Sequence, residues 1–183
     1  QVRAAIGHEI DKLVRVAETD FREAVRTDTQ LRALIEDAKR ELRRAIELSP
    51  QDAFPRHELA AILMDEGDWR GAIVHLKEAA RLEPGNFEAN LDLGICYAQK
   101  GFYEEAERAY GRAREAKPED LLLNYNVAAL YAQWGRPAEA LAALRRALAS
   151  EPAKVRGWLE TDPVFDALSG HPEYEALARD LTP

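Results

Sequence analysis

Eight positions of this sequence recur in three registers at a fixed step of 34 residues, and that self-similarity limits what the chain can fold into more than any other feature. In the first unit they are Leu59, Ala60, Leu63, Gly67, Ala72, Leu76, Ala79 and Pro84. One step on stand Leu93, Gly94, Tyr97, Gly101, Ala106, Tyr110, Ala113 and Pro118, and a further step gives Val127, Ala128, Tyr131, Gly135, Ala140, Leu144, Ala147 and Pro152. Within a unit the apolar residues fall three and four apart in two stripes separated by a glycine, which is the pattern of two short amphipathic helices. A helix pair of this size cannot bury its own apolar face, so the units must stack into an array whose core grows with repeat number. The expected organisation is three units at 53–86, 87–120 and 121–154, preceded by N-terminal helices with a degenerate repeat at 1–52 and followed by capping helices at 155–183.

The helix boundaries have their own local chemistry. Asp52, Asn86 and Asp120 follow Pro50, Pro84 and Pro118, and can cap the first helix of each unit by accepting from an otherwise unpaired N–H. Gly67, Gly101 and Gly135 stand where that helix must end in a left-handed conformation. Small residues at 60, 94 and 128 and at 72, 106 and 140 let paired helices approach. Leu59, Leu63, Leu76, Leu93, Tyr97, Tyr110, Tyr131 and Leu144 fill the space between them, and Trp69 and Tyr103 should pack on the adjoining unit.

Both ends depart from the repeat. Ile6, Ile10, Leu13, Val14 and Ala17 form an apolar face on a predicted N-terminal helix, a route to self-association if it docks on a neighbouring molecule. Glu18-Thr19-Asp20 and the residues after it align with Glu160-Thr161-Asp162, as though both ends shared one capping motif. Ala38, Leu42, Ala45 and Pro50 fit the second half of a degenerate unit. After Pro152, Asp162-Pro163 restarts a helix, Ser169-Gly170 ends it, and His171-Pro172 starts another. The chain begins at Gln1, as an excised or processed chain would.

Composition narrows the function. With 46% hydrophobic and 32% charged residues the chain is expected to be folded, and no apolar run is long enough for membrane insertion. A formal charge of −8 disfavours nucleic acid as a partner, since such affinity rests largely on Lys and Arg against phosphates. The basic run Arg40, Arg43 and Arg44 reads better as a solvated helix face. Cys96 is the single cysteine, so no intrachain disulfide forms, and the expected compartment is cytoplasmic. No enzyme signature is found: His8-Glu9 lacks a second histidine at residue 12, the histidines are scattered, and there is no phosphate loop. Cys96 reads as a buried structural thiol. Glu104-Glu105 and Glu119-Asp120 sit at helix starts, where negative charge suits the helix dipole. The chain is therefore expected to be no enzyme, with no cofactor and no metal.

The repeated residues resemble the tetratricopeptide repeat, strongly over 53–154 and in part over 31–52. The DPVFDAL and HPEYEAL segments are similar to the closing segment that follows such arrays in many bacterial members. The resemblance implies an all-α fold, a right-handed α-solenoid of antiparallel helix pairs. It also implies that the first helices line a concave groove that binds a peptide or helix of another protein, with no catalytic residues. One subclass clamps carboxylate tails with Lys and Asn, but the clamp positions here hold His57, Ala61, Asp92, Leu122 and Asn126, which argues against that ligand.

Carried onto this chain, the groove positions give a protein-binding site of Phe54, His57, Glu88, Leu91, Ile95, Leu122, Tyr125, Ala129 and Gln133, along with Ala61, Met64, Asp65, Ala98, Gln99 and Ala132. Most are apolar. The expected ligand is an apolar or amphipathic segment, helical in form, with Phe54, Leu91, Leu122 and Tyr125 as anchors and His57, Glu88 and Gln133 setting register. The competing expectation is an accessory docking or substrate-presenting domain of a larger enzyme or secretion machine.

Overall fold

A computed structural model describes residues 29–181, with side chains described through residue 177. The apolar face of 6–17 and the duplicated motif at 18–20 lie outside the described residues. The described chain is helical throughout with no strand. Helix α1 covers 29–48, followed by α2 (Phe54–Asp65), α3 (Trp69–Leu82), α4 (Phe87–Gln99), α5 (Tyr103–Ala116), α6 (Leu121–Gln133) and α7 (Pro137–Ser150). A short α8 (Pro152–Leu159), a 3-10 turn over Pro163–Leu168 and α9 (Pro172–Leu181) close the chain. Glu151 both ends α7 and begins α8, so the chain turns there without a loop and the expected boundary at 154 falls inside a helix.

Each unit is an antiparallel pair: α2 with α3, α4 with α5, α6 with α7. Successive first helices touch, α2 on α4 and α4 on α6, while no comparable contact joins α3 to α5 or α5 to α7. The array therefore curves with its first helices inside and its second helices splayed outside, a right-handed α-solenoid.

Helix ends follow the sequence with one instructive departure. Gly67, Gly101 and Gly135 have φ of 76°, 73° and 72°. In the first of these turns Gly67 N–H bonds to Met64 O and Asp68 N–H to Leu63 O, the paired bonds that close a helix on a left-handed residue. Asn86 accepts from Ala89 N–H and Asp120 from Leu123 N–H, each at 2.9 Å. Asp52 does not cap in this way. The residue three on is Pro55, which has no N–H to give, so the Asp52 carboxylate accepts from Phe54 N–H at 3.0 Å and α2 starts from Ala53.

The core is made of the repeated residues. Leu59, Ala60, Ala72, Leu76, Ala106, Ala128, Ala140 and Leu144 are fully buried, Leu93 and Tyr110 nearly so, and Tyr97 and Tyr131 are half-buried against them. A Cβ placed on Gly94 would lie 2.3 Å from the Tyr110 ring, so the largest side chain of the second-helix series faces the smallest of the first. Trp69 packs on its cluster, and Tyr103 stacks on Trp134 of the next unit at 5.7 Å. One recurring bond was not foreseen. At the same place in every unit a side chain reaches back to the loop proline: Arg56 Nη2 to Pro50 O, Asn90 Nδ2 to Pro84 O, and Asn124 Nδ2 to Pro118 O, at 2.8, 2.9 and 3.4 Å.

Candidate protein-binding surface

The first helices present their inner faces together, and charged pairs cross from one unit to the next. His57 Nε2 donates to Asp92 Oδ2 at 2.8 Å, joining α2 to α4. A carboxylate only accepts, so this nitrogen carries the proton. The bond to Asp92 raises the His57 pKa against the opposing effect of burial. Glu88, exposed on α4, pairs with Lys117 Nζ at 2.8 Å, and the same ammonium lies 4.3 Å from the centre of the Phe87 ring. Lys117 lowers the Glu88 pKa.

The apolar positions divide into two groups. Phe54, 66% exposed at the start of α2, and Leu122, 49% exposed at the start of α6, stand in solvent. Ile95 and Ala129 are half-buried, and Gln133 is exposed at the end of α6. Leu91 and Tyr125, expected as anchors, are instead 7% and 9% exposed and belong to one buried cluster with Phe87 and Leu121. Tyr125 is covered by the C-terminal segment. Its ring meets Trp158 at 4.8 Å and Phe165 at 5.3 Å, and its hydroxyl donates to Asp162 Oδ2 at 2.9 Å. Burial, reinforced by that carboxylate, raises the Tyr125 pKa.

The segment that covers Tyr125 also opens a cavity beside it. Leu122, Tyr125, Asn126, Trp158, Thr161 and Asp162 line a space of about 340 Å³ at this end of the inner face. Trp158 and Asp162 were missed in the sequence because the repeat register stops at Pro152, leaving no pattern that places them against α6. Asp162 has a local role as well, since its other oxygen accepts from Val164 N–H and caps the turn that follows.

The one cysteine is not poised as a nucleophile. Cys96 is fully buried, and burial, aided by the charge of Asp92, pushes its thiol up to about 12, far from the thiolate a nucleophile needs. Among the described residues no group of His, Cys, Asp and Glu is placed to hold a metal ion, and no helix is long and apolar enough to cross a membrane.

Comparison with known proteins agrees with the geometry. The tetratricopeptide repeat matches residues 63–133 and again 122–154. The chain belongs to the tetratricopeptide-repeat family. Among curated proteins this tetratricopeptide-repeat chain is similar to anaphase-promoting complex subunit 3 of Dictyostelium discoideum, 31% identical over 86 residues. That match takes in 47% of the chain but 9% of the longer protein. Among solved structures it is similar in fold to MamA, with a TM-score of 0.68, 19% identity, and coverage of 83% of this chain and 85% of that one. The type III secretion translocator chaperone SycD of Yersinia enterocolitica aligns with a TM-score of 0.51 at 19% identity, over 70% of this chain and 85% of its own.

Proposed function

We propose that the chain is a noncatalytic protein-interaction module whose inner face takes an apolar or amphipathic segment, helical in form, of another protein. The observation that carries this reading is the pairing of exposed Leu122 with the open hollow walled by Tyr125 and Trp158, an apolar floor with Asn126, Thr161 and Asp162 as polar groups at its edge. Phe54 supplies a second exposed anchor at the other end of the face, with half-buried Ile95 and Ala129 between them. Leu91 and Tyr125 support this surface from below. His57, Glu88 and Gln133 then set register at its polar margin. Asp92, held by His57, puts negative charge where a carboxylate clamp would need donors, which favours an apolar ligand over an acidic tail.

The test is selection of displayed random peptides on the full chain, followed by binding of the enriched sequences to variants. Enriched peptides should carry apolar residues at helical spacing, and Leu122→Asp combined with Phe54→Asp should weaken them by about a hundredfold, as for loss of two anchor residues. Both residues are exposed, so urea unfolding should hardly change. Binding unaffected by the double variant would refute this site.

A further inference from the structure

The splay of the second helices leaves a groove on the outer side of the array, and between α3 and α5 it deepens into a cavity of about 420 Å³. Ala80, Leu93 and Tyr97 give it apolar walls. Lys77 and Arg81 stand on one side and Arg108 and Arg112 on the other, with Glu105 the one carboxylate in the lining. On a chain of net charge −8 this is a local reversal of sign. Arg81 is held by Glu78 at 2.7 Å and Arg108 by Glu105 at 3.2 Å. Lys77 and Arg112 have no carboxylate within ion-pair distance among the described residues, and Arg112 gives its Nε to Asn90 Oδ1 at 2.8 Å, leaving the rest of the guanidinium available.

The neighbouring groove serves as an internal control. One repeat on, between α5 and α7, the residues in register with Lys77, Arg81 and Arg108 are Gly111, Glu115 and Ala142, and only Arg146 keeps the charge of Arg112. Tyr131, in register with Tyr97, donates its hydroxyl to Glu107 at 2.5 Å and lies under Arg136. A cavity between α5 and α6, lined by Arg114, Val127 and Tyr131, measures about 20 Å³. The set of four cations lining the α3–α5 cavity is thus not repeated one unit on.

We propose that the α3–α5 cavity is a second docking site, for an acidic segment of a partner protein that also carries an apolar side chain. Its carboxylates pair with Lys77, Arg112 and Arg108, and the apolar group rests on Ala80 and Leu93 beside the Tyr97 ring. Guanidinium forks match carboxylates in geometry as well as charge. A nucleic acid fits poorly, because the chain carries a net charge of −8 and in the next groove Glu107, Glu115 and Glu139 offset Arg114, Arg136 and Arg146.

The experiment is an amide NMR titration of the full chain with three probes: a short peptide alternating glutamate and leucine, its lysine and leucine counterpart, and inorganic phosphate. The acidic peptide should give saturable shifts at residues 77–84 and 105–112 and at Tyr97, weakening as salt is raised. Lys77→Glu with Arg108→Glu should weaken it by about tenfold or more. Both side chains are exposed and Arg112 is left in place to hold Asn90; should the pair of reversals impair folding, Lys77→Ala alone must still weaken binding. Equal binding of the lysine peptide, phosphate binding at these residues as tightly as the peptide, shifts confined to α2, α4 and α6, or folded charge-reversed protein that binds normally would each overturn the proposal. Leu122→Asp should leave this binding intact, so failure here and failure of the inner-face reading are separable.

Discussion

One methylene-sized gap decides how α4 and α5 pair. Tyr110 is 2% exposed, and its ring occupies the place a Cβ on residue 94 would need. Gly94→Ala should therefore lower stability by about 1–3 kcal/mol through overpacking, although alanine is the better helix former. Gly111, also mid-helix but with nothing near its missing Cβ, should respond in the opposite sense, gaining about 0.5–1 kcal/mol on conversion to alanine. Urea midpoints of the two variants should move apart; a common direction would mean that backbone propensity outweighs packing here. The histidines offer a second contrast. Asp92 raises the His57 pKa, whereas burial, with help from Arg56 and Arg43, lowers that of His75. The stability His57 contributes is thus complete below the ordinary histidine value of about 6.5 and fades as pH rises through its elevated folded pKa. For His75 the sign reverses: its neutral form is favoured on folding, and that contribution fades as pH falls through the depressed value. NMR titration of the ring protons should place the two on opposite sides of the ordinary value, and Asp92→Asn should bring down His57 while leaving His75 in place.

At the scale of elements, the first helices differ in how they begin. Asn86→Ala and Asp120→Ala each remove a bond to an N–H three residues on and should cost about 1 kcal/mol. Asp52→Ala should cost less, because Pro55 has already removed the donor that the side chain would have capped, and denaturation of the three variants in parallel would check the order. These caps illustrate what was legible. Period, helix breaks, left-handed glycines and the small-against-large pairing could be read because each is enforced by bonds or contacts within a unit or one repeat away, where the register is known. The loop bonds from Arg56, Asn90 and Asn124 were not read, since polar residues at that place look like surface residues until the chain curls back on its own proline. For the expected groove, register assigns positions on the first helices but says nothing of their exposure. Helical register says which way Leu91 and Tyr125 point, whereas their burial depends on α6 and on Trp158 and Phe165, which lie beyond the repeat pattern.

For the molecule as a whole, a stack of units leaves an apolar face at each end, and the segment from Glu151 to Leu168 must cover the last one. Val155, Phe165 and Leu168 are almost fully buried although they come from short elements, and they join the same cluster as Leu141, Leu144 and Leu148 of α7. The 3-10 turn packs on α6 and α8 packs on α7, so this segment seals both helices of the last unit. A cap of this kind keeps the terminal repeat soluble. Phe165→Ala should cost about 3–5 kcal/mol, the range for an aromatic ring deleted from a packed core. Removing the chain after Ser150 should go further, baring Leu141, Leu148 and the Tyr125 ring, and the shortened protein should unfold at lower urea and elute as larger species in gel filtration. The same deletion removes two walls of the inner-face cavity, Trp158 and Asp162, and so should abolish peptide binding there. Acidic peptide binding between α3 and α5, a full unit away from the cut, should survive in whatever fraction stays folded. If the shortened chain instead melts like the intact one and elutes no earlier than it, the last unit does not depend on the segment that covers it, and Tyr125 is a groove residue after all.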